Sequence, residues 1–230
     1  MRCTRIFIRW LFVGMLLLLI ISVFSTSCYR IVTPGVNPTS DSTNPNPIPI
    51  TGILVARGGA MAEWSDTVVK SHFGPNSAKL QIPPGGPPLA PYAYVGIESP
   101  IATVNDLDKV AAQYFVPPHT TSDFTPYIVI GLDLDGDGSG CDDFIIGGVA
   151  EGMPSKGSWN TINSNGWRIV SQGWTEYALD EVKGILGSKA ICRIRVSVGM
   201  WDTTEGMVAY VDGLTVNDTT YNLEPDVSSS

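Results

Sequence analysis

Aspartates alternate with other residues in one short segment near the middle of the chain. Asp133, Asp135 and Asp137 stand at positions 1, 3 and 5 of a DLDGDG sequence, with Gly138 at position 6. This spacing matches the opening of an EF-hand calcium loop, in which carboxylate oxygens bind Ca²⁺. The sequence therefore predicts a structural calcium site. Its candidate ligands are the carboxylates of Asp133, Asp135, Asp137, Asp142 and Asp143.

The same segment departs from an EF-hand in two respects. Position 12 is Phe144 where an EF-hand has its bidentate glutamate, and no flanking helices are predicted. Asp142 or Asp143 would have to replace that glutamate. The alternative is a solvated acidic turn between two strands, because aspartate and glycine favour turns whether or not a metal binds.

Tryptophans are the candidate residues for sugar binding, since the C–H faces of sugars stack on exposed aromatic rings. Trp167 and Trp174 each follow a glycine in a stretch with weak strand character. Exposure of one of these rings is expected, and both are candidate ligand-binding residues. The alternative is that they pack in the core, as large aromatic side chains commonly do.

No pattern of catalytic residues stands out in the sequence. The chain has two histidines, His72 and His119, and neither has a partner at the spacing of a zinc site or a Ser-His-Asp triad. A retaining glycosidase needs two positioned carboxylates. The E-x-D-x-x-E strand of β-sandwich hydrolases is missing. We therefore predict that the protein is not an enzyme and has no catalytic residues.

The first 28 residues have the features of an export signal. Three arginines within the first nine residues precede an apolar run at 10–24, and small residues follow directly before Cys28. This is the order of a secretory signal, and the run is shorter than the roughly 20 residues of a membrane-spanning helix. The small residues before Cys28 resemble a bacterial lipobox, although Ser25 stands where leucine is usual.

Three segments follow from these features. Residues 1–28 are predicted to be a signal peptide or a lipoprotein leader, with Cys28 either lipidated or merely close to the cleavage site. Residues 29–50 are rich in Pro, Ser, Thr and Asn, which predicts an extended linker. Residues 51–227 are of a length typical of one domain. Both interpretations of Cys28 place this domain outside the cytoplasm, either secreted or tethered to the cell surface.

The charge of the exported part argues against one class of partner. The chain has 22 acidic and 14 basic residues, and removal of the leader's three arginines leaves a net charge of −11. A domain of this charge is repelled by nucleic-acid phosphates. We expect no nucleic-acid partner, and membrane contact only through the N-terminus.

The domain consists mostly of predicted strands, and these strands must position the candidate residues. Residues 108–116 alternate with a period of two, and 127–134 form a continuous apolar run typical of a central strand buried on both faces. Shorter strands are predicted at 67–70, 77–82, 92–98, 207–211 and 214–216, with a tight turn at Asn217 and Asp218. One helix is predicted over 175–186. Many short strands with a single short helix predict an all-β fold, a two-sheet antiparallel β-sandwich of jelly-roll-like form.

The strand predicted at 191–198 contains one of the domain's two cysteines. Its alternation directs Cys192, Ile194, Val196 and Val198 inward and Arg193, Arg195 and Ser197 outward. An extracellular setting permits a disulfide between Cys141 and Cys192, which would close a loop of about 50 residues and stabilise the domain by roughly 4 kcal/mol. The alternative is two independent buried thiols.

Three short segments resemble a known kind of domain. The sequence AYVDGLTVNDTTYNLEP at 209–225 resembles the closing hairpin of secreted prokaryotic β-sandwich domains of the lectin-like or carbohydrate-binding-module type. NSAKLQIPPG at 76–85 resembles their early strand, and IVIGLDLDGDG at 128–138 resembles a central strand. The resemblance implies glycan binding or a role as a surface or adhesion module.

Three classes of function remain open from the sequence. The first is a non-catalytic extracellular binding or adhesion module for a glycan or other surface polymer. The second is a structural protein of the cell envelope that contacts other protein copies. The third is a polysaccharide-processing enzyme on a jelly-roll scaffold. An unpaired edge strand would favour the second class, and a cleft with two facing carboxylates would favour the third.

Overall fold

Two sheets of seven strands each make up the part of the chain that the structure describes. The computed structural model describes residues 47–50, 52–66, 73, 75–85, 91–147, 154–163, 166–199 and 206–224. All of these residues belong to one compact unit, Ser40–Ser230. Within it every strand pair is antiparallel except the pair of β1 with β14. The predicted all-β, two-sheet sandwich with one short helix is confirmed.

Sheet A is organised around its longest strand, β13, which pairs with β6 along one edge and with β4 and β14 along the other. Strands β3, β1 and β9 extend the sheet outward from β4, β14 and β6. Its strands are β1 (Ile48–Pro49), β3 (Met61–Ser65), β4 (Ser77–Ile82), β6 (Val110–Phe115), β9 (Trp159–Asn163), β13 (Met207–Val216) and β14 (Thr219–Asn222).

Sheet B has the order β11-β10-β8-β7-β12-β5-β2. Its central strand, β7, comes from the continuous apolar run at 127–134, whereas the neighbouring β12 alternates apolar with polar residues. Its strands are β2 (Ile53–Arg57), β5 (Tyr92–Glu98), β7 (Tyr127–Asp133), β8 (Asp143–Gly147), β10 (Trp167–Ile169), β11 (Glu176–Tyr177) and β12 (Ala190–Gly199).

One hydrophobic core lies between the two sheets. Alternation within each strand directs every second side chain into it, so that Ala112 and Tyr114 of sheet A and Val196 and Val198 of sheet B belong to the same buried cluster. The predicted double burial of the strand at 127–134 is confirmed, because every residue of β7 is buried. Its outward residues belong to a second, smaller buried cluster that contains Tyr127, Val129 and Ile146.

The helix α1 (Leu179–Leu186) begins later than the sequence predicts. Glu176 and Tyr177 instead pair with β10 as the short strand β11. The Glu181 carboxylate accepts a hydrogen bond from the Ala178 N–H at 2.8 Å. This satisfies one of the amide donors that a helix N-terminus leaves unpaired, which explains the start of the helix there.

Three further boundaries differ from the sequence prediction. Ile48 and Pro49, assigned to the linker, pair with β14, so the sheet begins before residue 51. The two strands predicted at 207–211 and 214–216 are one strand with an irregular register against β6. Edge strands such as β3 and β9 were missed, because their mixed polar and aromatic residues show no clear alternation. The strand predicted at 67–70 lies outside the described residues.

Within the described ranges, no helix has the length and hydrophobicity that a membrane span requires.

Candidate functional site

The two tryptophans predicted to bind sugars lie in different environments. Trp167 is 0% exposed and packs in the main core. Its ring fills the space that a side chain at residue 147 would need, which is free because that residue is Gly147. Its expected role in sugar binding is therefore corrected to a role in packing. Trp174 is 38% exposed and follows Gly173 in a turn before β11, so it stays a candidate.

Three of the five predicted calcium ligands come together in the loop between β7 and β8. Oxygen atoms of Asp133, Asp135 and Asp142 lie within 4.8 Å of one another. Asp133 lies at the buried end of β7, whereas Asp135 and Asp142 are exposed. This group has the ligand chemistry that Ca²⁺ prefers.

Backbone amides already bind most of the carboxylates in this loop. Asp133 accepts hydrogen bonds from the N–H groups of Gly136 and Gly138, at 2.7 and 3.0 Å. Asp142 accepts one from the Leu134 N–H at 2.8 Å. The pKa of Asp135 lies above its usual value. A hydrogen bond with the Asp137 backbone lowers it, but slight burial and the charges of Asp137 and Asp142 raise it by more.

The remaining two predicted ligands are engaged elsewhere. Asp137 accepts a hydrogen bond from the Ser139 N–H at 2.6 Å, and its hydrogen bonds with Ser139 hold its pKa below the usual value. Asp143 is buried at the start of β8, where its carboxylate accepts hydrogen bonds from the Ser171 hydroxyl and from the Phe144 N–H. The structure does not bring either residue into the three-carboxylate group.

A disulfide between Cys141 and Cys192 ties the end of this loop to β12, with the two Cα atoms 6.0 Å apart. The bond lies against Gly131 on the outer side of sheet B, where a side chain would collide with Cys141. Cys192 was predicted to point inward. A register shift between Ile191 and Arg193 leaves Cys192 unpaired with β7 and allows its sulfur to reach the outer side.

The outer side of sheet B carries a second group of functional side chains. We call it the arginine face and define it by the outward residues of β2, β5, β7, β8, β10 and β12. Strand register fixes their arrangement: Arg195 lies beside Gly96 and Val129, and Ser197 lies beside Tyr94 and Tyr127. The polar and aromatic members are Arg57, Tyr92, Tyr94, Glu98, Tyr127, Asp133, Phe144, Arg168, Arg193, Arg195 and Ser197.

Aromatic rings and guanidinium groups pack against each other at the centre of the arginine face. The Arg195 guanidinium lies over the rings of Tyr94 and Phe144, 4.6 and 4.8 Å from their centroids. The rings of Tyr92 and Tyr94 are parallel, with centroids 6.3 Å apart. Arg193 Nη1 donates a hydrogen bond to the Tyr94 hydroxyl at 3.2 Å. The interactions hold these side chains in fixed positions.

The absence of Cβ at Gly96 permits this close packing. A Cβ atom there would lie 2.6 Å from Arg195 Cβ, which no side chain could tolerate without a shift of the backbone. Burial lowers the pKa of Arg195, although contacts with Tyr94 and nearby tyrosines oppose this. Burial also raises the pKa of Tyr92, and the positive charges of Arg57 and Arg195 partly offset that increase.

Buried polar atoms without partners are concentrated on the same face. Arg193 Nε, Arg195 Nε and Ser197 Oγ are buried, and none has a hydrogen-bond partner in the described part of the structure. Most buried polar atoms in proteins are hydrogen-bonded, so an unpaired group needs an explanation such as a water molecule or a ligand. All three atoms belong to alternate residues of β12.

The outer side of sheet A differs because its polar groups pair with one another. Lys79 forms an ion pair with Glu63 at 2.6 Å, and Gln113 donates a hydrogen bond to the Thr161 hydroxyl at 3.0 Å. The ring of Phe115 packs against those of Trp159 and Tyr210. The arginine face is therefore the stronger candidate for a binding site.

Sequence reasoning found only part of this site. The outward direction of Arg193, Arg195 and Ser197 was predicted from alternation and is confirmed. Their convergence with Tyr92 and Tyr94 was missed, because the register of β5 against β12 brings together residues about 100 positions apart. The available signal was the alternation of tyrosine with small apolar residues in β5.

No protein-family model matches this sequence, and no curated protein is similar to it in sequence. Among solved structures, the family 11 carbohydrate-binding module of a cellulosomal cellulase from Clostridium thermocellum is similar, with a TM-score of 0.46 and 12% sequence identity. The alignment covers 77% of this chain and 91% of that module.

Two further solved structures are similar. One is a family 11 module from Clostridium thermocellum in complex with a β-1,3-1,4-mixed-linked tetrasaccharide, with a TM-score of 0.41, 12% identity and coverage of 76% of this chain and 92% of that chain. The other is a family 22 xylan-binding domain, with a TM-score of 0.36, 12% identity and coverage of 76% and 89%. All three TM-scores are below 0.5, so the assignment of a two-sheet β-sandwich rests on the strand pairing of this chain.

Proposed function

We propose that this protein is a non-catalytic, extracellular glycan-binding or adhesion module whose ligand lies on the arginine face. The observation that carries the proposal is the set of buried, unpartnered donors on Arg193, Arg195 and Ser197, next to the stacked rings of Tyr92 and Tyr94. Sugar hydroxyls accept hydrogen bonds from such donors, and the C–H faces of sugars stack on aromatic rings. The similar solved structures are carbohydrate-binding modules, which agrees with the proposal. At TM-scores below 0.5, however, the argument rests on this chain's own residues.

The two glutamates of the arginine face and its edge do not form a glycosidase pair. Glu98 lies on β5 and Glu176 on β11, which are five strands apart in sheet B. At about 4.8 Å per strand, the Cα atoms of these two residues are separated by roughly 24 Å, whereas glycosidase carboxylates stand about 5–10 Å apart. Glu176 also forms an ion pair with Arg168 at 3.3 Å. These two carboxylates are therefore too far apart to act together on a glycosidic bond.

We expect substitutions on the arginine face to weaken glycan binding. Arg193→Ala combined with Ser197→Ala removes two of the unpartnered donors and should lower affinity by about tenfold or more, since one hydrogen bond to a charged donor contributes about 1.5–3 kcal/mol. A glycan array would identify a bound polysaccharide, and calorimetry would then compare the variants. Gln113→Ala on the outer side of sheet A is the matched control and should bind normally. Unchanged binding by the double variant would contradict the proposed site.

Export and tethering form part of the same proposal. Residues 1–46, which contain the leader, Cys28 and most of the linker, lie outside the described residues. The order of charge, apolar run and small residues supports export. The intact mass of the mature chain, measured in the membrane and soluble fractions, tests whether cleavage and lipidation occur at Cys28.

We propose in addition that Asp133, Asp135 and Asp142 hold a structural calcium ion. Their oxygen atoms lie within 4.8 Å of one another, and a cation would relieve the repulsion between carboxylates this close. A ligand that binds only the folded state stabilises it by about 2.7 kcal/mol at a hundredfold excess over its Kd. Millimolar Ca²⁺ should therefore raise the melting temperature, by roughly 2–4 °C for each kcal/mol.

Asp135→Asn combined with Asp142→Asn should abolish this effect of calcium on melting, because it removes two charges and keeps acceptor oxygens for the Leu134 and Asp137 N–H groups. Asp218→Asn, in the turn between β13 and β14, is a control that should keep the response. Acidification should weaken the response, since protons compete with the metal for the carboxylates. An identical melting temperature in calcium and in chelator, for the wild-type protein, would show that the loop is an acidic turn.

A further inference from the structure

The positive charges of the domain are distributed unevenly. The four arginines in the described part of the chain are Arg57, Arg168, Arg193 and Arg195, and strand register places all four on the arginine face. Lysines lie elsewhere, and three of the described ones pair with acids: Lys79 with Glu63, Lys156 with Asp123 and Lys183 with Asp108. A domain with a net charge of −11 thus concentrates its arginines on one surface.

Three of these arginines have no carboxylate partner. Arg57, Arg193 and Arg195 form no ion pair with a described acidic residue, and only Arg168 does so, with Glu176. Glu98 lies beside Arg193 in register but does not approach it within ion-pair distance. A partly buried cation without a counter-charge is unfavourable. The rings of Tyr94 and Phe144 compensate the charge of Arg195 only in part.

We infer that the ligand of the arginine face is an anionic polysaccharide that carries carboxylates on its sugar rings. The inference rests on the proposed function and names the class of glycan. Guanidinium groups bind carboxylates through two parallel hydrogen bonds, which lysine cannot reproduce. The Nε atoms of Arg193 and Arg195 have no partner among the described residues, and both side chains are only half-buried, so we expect their guanidinium groups to make such contacts.

The spacing of the arginines matches a chain of sugars better than a single sugar. Arg57 and Arg195 are two strands and four residues apart, which places their Cα atoms roughly 16 Å apart. Arg168 lies three strands from Arg195 in the other direction, at roughly 14 Å. One polymer with repeated carboxylates can reach several of these sites, and Tyr92, the register partner of Arg57, offers a stacking surface.

The test compares a polyuronate, polygalacturonate, with the same polymer after chemical reduction of its carboxyl groups. With the full-length chain, calorimetry should show at least about tenfold tighter binding of the charged polymer. The difference should shrink between about 50 and about 500 mM NaCl, because salt screens exposed charges. Equal affinity for the two polymers would overturn the inference and leave the proposed function intact. If the protein bound neither polymer and no glycan on the array, both the inference and the proposed function would be contradicted.

Substitutions distinguish a specific role of the arginines in binding from a general effect of positive charge. Arg57→Gln and Arg193→Gln should each lower the affinity for polygalacturonate about tenfold. Arg193→Lys should restore only part of the lost affinity, because lysine lacks the planar guanidinium group that forms two parallel hydrogen bonds. Lys183→Gln removes the same charge from the helix and should bind normally. Arg57 is exposed, so its variant tests the idea even if Arg193→Gln unfolds. Normal binding by Arg57→Gln and a folded Arg193→Gln would overturn the inference.

Two further polymers identify the chemistry that is recognised. A sulfated galactan tests another anion on the same kind of backbone, and poly-glutamate tests carboxylates without sugar. Weaker binding of both than of polygalacturonate supports the inference. Tighter binding of the sulfated galactan would overturn the carboxylate assignment, and equal binding of poly-glutamate would show that the face recognises acidic polymers rather than a glycan.

Discussion

Replacement of Trp167 with alanine should lower the free energy of unfolding by about 3–5 kcal/mol, the range found for large aromatic residues removed from cores. Trp167 is fully buried, and its ring packs against the backbone at Gly147. The cavity left by the indole could not be filled without a shift of β8 or β10, the strands that pair there. Chemical denaturation of the wild-type and variant proteins, followed by fluorescence or circular dichroism, measures the loss.

Trp174→Ala is the matched control for this experiment. Its side chain is 38% exposed, and surface substitutions usually change stability by less than about 0.5 kcal/mol. Trp167→Phe should recover much of the loss, because it restores ring packing and removes the indole N–H, which is unpaired among the described residues. Similar stability losses for Trp167→Ala and Trp174→Ala would show that the burial of Trp167 does not hold in solution.

Removal of the disulfide should have an effect of comparable size. Cys141 and Cys192 are 51 residues apart, and the chain-entropy model assigns about 4 kcal/mol to a loop of that length, because the bond restricts the unfolded chain. The double variant Cys141→Ser with Cys192→Ser should therefore unfold at a clearly lower denaturant concentration. Urea denaturation at neutral pH measures the difference.

A reducing agent offers an independent check of the same bond. It should destabilise the wild-type protein by a similar amount and leave the double variant unchanged, because the variant has no bond to reduce. Thiol alkylation followed by mass measurement counts the free cysteines. Two free thiols at 141 and 192 in the folded protein, purified under oxidising conditions, would contradict the bond.

Local patterns predicted much of the fold, because strand alternation is a property of neighbouring residues. The strands at 77–82 and 92–98 have the predicted bounds, and that at 191–198 differs by one residue at each end. The turn at Asn217 and Asp218 was also predicted, and Asn217 has the positive φ of 53° that such a turn requires. The short strands β10 and β11 were not predictable, since a strand of three or two residues is too short to show alternation.

The sequence of this protein determined the fold class and the direction of the side chains within its regular strands, since both follow from periodicity. Only the tertiary structure decided which strands became neighbours, and therefore which side chains met. Register across six strands assembled Arg57, Arg168 and Arg193 on one face. It also buried Trp167, for which the local sequence allowed either exposure or packing in the core. The physical reason is that pairing joins residues far apart in the chain, so no local pattern of residues records it.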